Sequence, residues 1–461
     1  MILEQHYLAC LSQASYLIGD AEAGVAAVVD PRRDVEIYKQ AAAKHGVEIR
    51  HVLLTHFHAD FLAGHLELAA ETGATLHLGA AASAEFDFEP LEDGAELRLG
   101  AVTIQALATP GHTPESVSYT VRDNSEDEPR AVLTGDTLFI GDVGRPDLMS
   151  SVGVTAEDLA GALYDSVHQK LLTLPDETVV YPGHGAGSSC GKNLSTALSC
   201  TIGQQRRTNY ALQDMTKEAF VSVVTAGQRP APQYFGHDAA LNKRERPLLK
   251  ETLAQALRPL SIEEALAAQA EGAVLLDTRD GDAFAAGFLP GAIFVGLGGR
   301  FASWVGTVIS PDAELVLISE PGTEEEAVTR LGRIGYDKVR GFLDDPAQAL
   351  AGRGDLERVQ RVDAASLAAI LGGEEKFAVI DVRAEGEFEA GRIAGALNLP
   401  LQRPEEMAGA APVGGPHVIH CQGGYRSLIA ASLIAQMNKA PLVDLTGGFE
   451  AWERTGQAVE R

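Results

Sequence analysis

The stretch Thr55-His56-Phe57-His58-Ala59-Asp60-Phe61 carries two imidazoles and a carboxylate, side chains that suit zinc or iron(II). It follows the apolar run Val52-Leu53-Leu54, which reads as a short buried strand, and precedes a helix-like segment from Leu62 to Glu71. Three further positions repeat the arrangement. His112 lies in Thr109-Pro110-Gly111-His112-Thr113, after the apolar run from Val102 to Leu107. Asp136 lies in Leu133-Thr134-Gly135-Asp136-Thr137 after Ala131-Val132-Leu133, and His184 in Tyr181-Pro182-Gly183-His184-Gly185 after Thr178-Val179-Val180. Each time a strand ends and a metal-capable side chain follows in a loop, where a rigid scaffold presents functional groups.

As an ordered set, these motifs resemble the metallo-β-lactamase fold, an αββα sandwich whose metal ligands sit on loops at one edge of its sheets. The resemblance covers about residues 1–235. In that fold the usual motif is His-x-His-x-Asp-His, its last two residues serving a second metal, and here Phe61 takes the last place. A phenyl ring donates no lone pair. The second site then keeps Asp60, His184 and a shared Asp136, and one metal is expected rather than a hydrolytic dizinc centre. His56, His112 and Asp136 form a two-His, one-carboxylate set that leaves positions open on non-haem iron(II). That arrangement resembles the persulfide dioxygenases, as does Phe139-Ile140-Gly141-Asp142-Val143-Gly144-Arg145-Pro146-Asp147. The resemblance implies one Fe(II) per chain on His56, His112 and Asp136, with His58 nearby; spacing alone would make His58 a ligand too. It also puts Arg145 and Tyr181 close to the metal, able to hold an anionic substrate. A salt bridge is the alternative use of Arg145.

The chain of 461 residues has room for about three domains. Its apolar content of 45% and the lack of an apolar run near 18 residues indicate a globular protein with no membrane span. The N-terminus shows no basic region followed by an apolar stretch, so no secretory signal is expected. Four cysteines without paired spacing point to a reducing cytoplasm. A net charge of −27 argues against nucleic acid as a partner, and would repel anionic thiols at long range.

In chain order, residues 1–30 read as an opening hairpin turning at Gly19-Asp20-Ala21-Glu22 and ending at Asp30-Pro31. Val35 to His45 reads as a helix that Gly46 stops. Strands are expected near 74–79 and 96–107, and helix over most of Gly153 to Leu174. Cys190, and Cys200 in an expected helical stretch, are candidates for redox sensing or sulfur relay. The bland reading is small buried apolar residues. A linker over 236–258, preceded by Gln228-Arg229-Pro230-Ala231-Pro232, shows no clear apolar periodicity and suggests no activity of its own.

From about 259 the chain repeats itself at an offset of 104 residues. Leu275-Leu276-Asp277-Thr278-Arg279 recurs as Val379-Ile380-Asp381-Val382-Arg383, Phe284 matches Phe388, Gly287 matches Gly391, and Gly291-Ala292 matches Gly395-Ala396. A buried strand ending in Asp-x-Arg, then a helix and a Gly-Ala turn, resembles the rhodanese domain, an α/β unit with a parallel sheet. Two modules are expected, 259–355 and 356–461. In the second, His417-Val418-Ile419-His420 runs into Cys421-Gln422-Gly423-Gly424-Tyr425-Arg426-Ser427. The thiol would sit in a loop over a helix N-terminus with several N–H groups inward. That field and Arg426 favour a thiolate able to carry sulfane sulfur. Arg426 follows Cys421 by five residues, where phosphatases use six, and the smaller ring suits sulfur. The first module has Ser319 or Glu320 at the nucleophile place and is expected to be inert.

The whole chain therefore resembles a persulfide dioxygenase–rhodanese fusion of fold class α/β. The expectation is a metal domain that oxidises a low-molecular-weight thiol persulfide with O2 to sulfite, coupled through Cys421 to thiosulfate formation or its reverse. Tethering raises the effective concentration of the shared intermediate. The thiol could be glutathione, coenzyme A or another. A homo-oligomer is expected of so acidic a multidomain enzyme. Two alternatives compete: a dinuclear thioester hydrolase resembling glyoxalase II, and a non-catalytic carrier or sensor of sulfane sulfur.

Overall fold

The computed structural model describes residues 1–148, 153–228, 231–412, 414–437 and 440–461. The chain is mixed α/β and divides into two compact units, residues 1–249 with 332–335 and residues 250–331 with 336–461. Among the described residues no helix is long and apolar enough to cross a membrane.

The first unit holds two six-stranded sheets. One runs Ile2–Leu8, Gln13–Asp20, Val25–Val29, Glu48–Leu53, Thr75–Gly79, Glu89–Leu91; its first three strands are antiparallel and the rest parallel. The other runs Cys200–Thr201, Val179–Pro182, Ala131–Gly135, Val117–Asp123, Val102–Ala108, Glu96–Leu99. Side chains alternate between faces along a strand, and the sequence uses this to build two layers at once. Ala131 and Leu133 point into the core that both sheets share with Tyr16, Val29, Leu53 and Ile104. Val132, between them, points outward onto Leu163 and Val167 of helix Ala156–Gln169. On the far side, helix Glu36–His45 buries Tyr38, Ala41 and Ala42. The result is the αββα sandwich of the metallo-β-lactamase fold.

Several boundaries differ from expectation for local physical reasons. The opening hairpin becomes three strands, with the second turn at 21–24 held by Glu22 N donating to Asp20 Oδ1 at 2.9 Å. Helix Glu36–His45 ends as expected at Gly46, whose φ of 68° closes it in the left-handed region. The helix after the metal loop spans His65–Thr72, later than Leu62. Cys200 stands in a strand, because Thr201 and Gln204 form a capping box that starts the helix only at Ile202. The expected helix over Gly153–Leu174 is an α-helix, Ala156–Gln169, and a 3-10 turn, Leu171–Thr173. The connector is largely helical, with Tyr234–Leu241 and Leu249–Ala256. Of the Gln228–Pro232 run, Arg229 and Pro230 lie outside the described residues.

The second unit repeats one plan. Its two five-stranded sheets run Pro259–Leu260, Val339–Leu343, Leu315–Ile318, Val274–Asp277, Ile293–Phe294, and Val359–Val362, Leu442–Leu445, His417–His420, Ala378–Asp381, Leu397–Asn398. Every pairing is parallel and the strand order is the same in both. Each Asp-x-Arg pair is a local clasp. Arg279 grips Asp277 and donates to Gly287 O, and Arg383 grips Asp381 and donates to Gly391 O.

Candidate functional site

Strand ends bring the metal-capable residues together. His56, His112 and Asp136 are buried, with ligand atoms mutually within 4.8 Å. Asp136 Oδ2 lies 3.9 Å from His56 Nε2 and 3.6 Å from His112 Nε2, while its Oδ1 lies 3.5 Å from His184 Nε2. His58, Asp60 and His184 form a second buried trio, and Asp136, His184 and Cys190 a third.

Neighbouring groups decide which ring nitrogen faces inward. His112 Nδ1 donates to Arg145 O at 2.8 Å and His184 Nδ1 to Ser12 O at 3.2 Å, since a carbonyl can only accept. Thr55 Oγ1 donates to Asp30 Oδ2 and so accepts from His56 Nδ1 at 2.9 Å. All three rings are thereby set to offer an Nε2 lone pair, the tautomer a metal needs. His58 differs. Its Nε2 lies 3.1 Å from Asp30 Oδ1, close enough for attraction but not aligned as a hydrogen bond. Burial lowers its basicity, and the carboxylates of Asp30, Asp136 and Asp60 together more than reverse this, leaving the pKa raised. His56 is held well below its ordinary value by burial and by the surrounding imidazoles, so it stays neutral and able to ligate. Ser12 and Asp30, the two anchors, are non-glycine residues with φ of 54° and 51°, strain of order 1 kcal/mol each that surrounding structure must hold.

The donor set fits a cation. Both oxygens of Asp136, Oδ1 of Asp60 and Nε2 of His184 are buried with no hydrogen bond from any nitrogen or oxygen among the described residues. Burial of an uncompensated carboxylate costs several kcal/mol, roughly, and a bound cation removes that cost. Asp60 is pushed up from its ordinary value by burial. Phe61 is fully buried, its ring centroid 4.3 Å from that of His58 and 6.4 Å from that of His184. Gly135, at φ 48°, allows the close approach behind the site; a Cβ there would stand 2.5 Å from Thr55 Oγ1.

Arg145 forms a bidentate pair with Asp147, both contacts at 2.8 Å, and its carbonyl orients His112. Tyr181 packs against the inter-sheet core, its ring edge-on to Tyr16 at 5.6 Å. Cys190 is buried beside Asp136 and His184; burial, with the charges of Asp60 and Asp136, pushes its thiol well above the ordinary value. Cys200 is half-buried and pushed up to about 11 by burial.

In the second unit Cys421 follows strand His417–His420 and is 1% exposed. Gly424 N donates to its Sγ at 3.1 Å, and Ser427 Oγ lies 3.7 Å away. Arg426 opens helix Arg426–Met437 and is held bidentately by Glu387, both contacts at 2.7 Å. Gln422 accepts from Arg383 at 3.1 Å through its side chain. The hydroxyl of Tyr425 donates to Gly296 O at 2.7 Å. Gly423, Gly424 and Tyr425 line a cleft of about 380 Å³ that also includes Thr278, Arg279 and Arg361. A second helix start secures the loop from behind, with Phe449 N donating to Cys421 O at 2.7 Å and Glu450 N to Gln422 O at 3.1 Å. Its one sign in the sequence is the glycine pair Gly447-Gly448, at φ 75° and 60°. Asp30, Ser12 and Glu387 carry no sign in the sequence of the contacts they make with Thr55, His184 and Arg426.

In the first copy the strand register decides between Ser319 and Glu320. Ile318 pairs with Asp277 as His420 pairs with Asp381, so Ser319, and not Glu320, stands where Cys421 stands. Its following helix begins Glu324-Glu325-Glu326, carboxylates where the second copy places Arg426.

Comparisons with known proteins agree with this layout. Residues 8–184 match the metallo-beta-lactamase superfamily and residues 363–455 the rhodanese-like domain. The mitochondrial persulfide dioxygenase ETHE1 of Bos taurus is 30% identical over 236 residues, which cover 50% of this chain and 83% of that protein. The probable hydroxyacylglutathione hydrolase glo2 of Schizosaccharomyces pombe is 31% identical over 188 residues, covering 40% of this chain and 68% of that protein. A crystal structure of a metallo-beta-lactamase from Staphylococcus aureus aligns with a TM-score of 0.66 at 29% identity, covering 74% of this chain and 98% of that one.

Proposed function

Because this chain belongs to the persulfide dioxygenase family of metallo-β-lactamase-fold enzymes and carries a C-terminal rhodanese domain, we propose that it couples persulfide oxidation to sulfur transfer. The overall reaction is RSSH + O2 + H2O giving RSH, sulfite and two protons. Iron(II) held by His56, His112 and Asp136 would supply the redox chemistry that adds oxygen to the terminal sulfur. The protein's own part is preparation. Thr55 and the Arg145 carbonyl take up the Nδ1 atoms of His56 and His112, which leaves each Nε2 facing the site, and Phe61 fills the side where a second ion would need a ligand. Arg145, tied to Asp147, and Tyr181 are the proposed anchors for an anionic persulfide.

At the second centre the Cys421 thiolate attacks the outer sulfur of RSSH. One S–S bond forms as another breaks, RSH leaves, and the enzyme is left as a persulfide. Sulfite then attacks that outer sulfur, thiosulfate departs, and the thiolate returns. Gly424 N stabilises charge on the Cys421 sulfur, with Arg426 held at the loop by Glu387. The same steps run backwards allow thiosulfate to feed the metal centre.

The observation that carries the metal reading is Asp136, with both oxygens buried and accepting from no nitrogen or oxygen among the described residues, between imidazoles whose Nε2 atoms face it. The His58, Asp60 and His184 trio gives the rival hydrolase its strongest support. Product analysis with Cys421→Ser tests the coupling. Oxygen uptake should persist and sulfite accumulate while thiosulfate is lost; an unchanged thiosulfate yield would sink the coupled scheme.

A further inference from the structure

The connector makes a contact with the metal loop that its sequence does not advertise. Helix Tyr234–Leu241 is followed by Asn242, which is fully buried. Its Nδ2 donates to His58 O and to Phe61 O, both at 2.8 Å, and its Oδ1 accepts from Ala63 N at 2.9 Å. A primary amide has two N–H donors and one oxygen, and all three are spent on this one loop. Between Leu53 and His65 the loop belongs to no strand or helix, so its backbone groups need partners from elsewhere. Two neighbours reinforce the grip. Arg246 donates to Ala63 O and to Glu67 Oε1, and Lys243 Nζ stands over the Phe57 ring at 5.2 Å from its centre. This segment lies beyond residues 8–184, the stretch matching the metallo-beta-lactamase superfamily.

We propose that Asn242 is a positioning residue for the metal centre. By clamping the backbone on both sides of Asp60, it holds the Phe61 ring against His58 and keeps the pocket shaped for one ion. Neither His58 O nor Phe61 O could be held by a side chain that only accepts, so the two N–H donors are the working part. The inference rests on the one-ion reading above.

Cobalt(II) titration of the metal-free full-length chain tests it, read by visible absorption and by calorimetry. Wild type should bind one cobalt ion with a defined ligand-field band. Asn242→Asp keeps the shape and the Ala63 contact but loses both donors, and Asn242→Ala loses all three bonds. Both should weaken cobalt binding by about tenfold or more, as for other residues that orient ligands, and shift the band. Unchanged affinity and band in the variants would overturn the proposal, even with a lower melting temperature, because that is the signature of a merely structural amide. Should the variants not fold, amide exchange on wild type decides. Cobalt loading should slow exchange at Ala63 N–H and across 234–242, and no change there would refute it. Two tightly bound cobalt ions in wild type would instead sink the one-ion reading.

Discussion

At the scale of single residues, the chemistry divides into side chains that hold reactants and groups that aim them. Phe61 is decisive, since an imidazole there would complete a second ligand set with Asp60 and His184. Phe61→His should therefore raise the metal content from one ion per chain towards two and depress persulfide-dependent oxygen uptake, checked by metal analysis beside an oxygen electrode. His56, His112 and Asp136, which the fold brings together, and Cys421 were legible as candidates because side-chain type and loop context mark them in the sequence. Ser12, Asp30 and Asn242 were not. Ser12 acts through a main-chain carbonyl 172 residues from its histidine, and Asn242 through an amide about 180 residues from the loop it holds. Nothing local marks such a residue, because its role exists only once the chain has folded.

Elements position these residues through a few close approaches. Gly448 sits at φ 60°, and a Cβ there would meet Cys421 O at 2.4 Å. Gly448→Ala should cost about 1–3 kcal/mol locally and abolish sulfur transfer while leaving oxygen uptake intact, measured in separate assays on one preparation. Beneath the metal loop, helix His65–Thr72 carries Glu67, bonded to Arg33 at 2.8 Å and Arg246 at 2.6 Å. Burial pushes this carboxyl up, but Arg246 and Arg33 more than reverse the effect and hold it at about 2. A depressed folded value means the stabilisation, about 3 kcal/mol, is complete above the ordinary value near 4.5 and drains away as pH falls towards 2. Melting curves across that window should steepen for wild type and flatten for Glu67→Gln. Helix Glu36–His45 was legible from its Gly46 stop. The connector helices were not, since Tyr234–Leu241 is short and its apolar side chains do not form a clean stripe in the sequence.

Across the whole molecule, the strongest sequence signal was the repeat at 104 residues, and two sheets of identical strand order carry it. Hydrophobic runs ending in Asp-x-Arg specify that plan twice, whether or not the loop that follows holds a thiol. The division into units was less legible: residues 332–335 group with the first unit although they lie far along the chain, which depends on packing rather than pattern. A net charge of −27 opposes the approach of anionic persulfides. Raising the ionic strength should lower KM for such a substrate with little change in kcat, because screening shortens the reach of that repulsion. The central claim is one redox-active ion in a pocket that Phe61 keeps from becoming dinuclear. Metal content of anaerobically purified full-length protein, determined beside oxygen consumption with a thiol persulfide, tests it most directly. One iron per chain with one dioxygen consumed per sulfite released is the expected result; two zinc ions per chain with thioester cleavage and no oxygen uptake would contradict it.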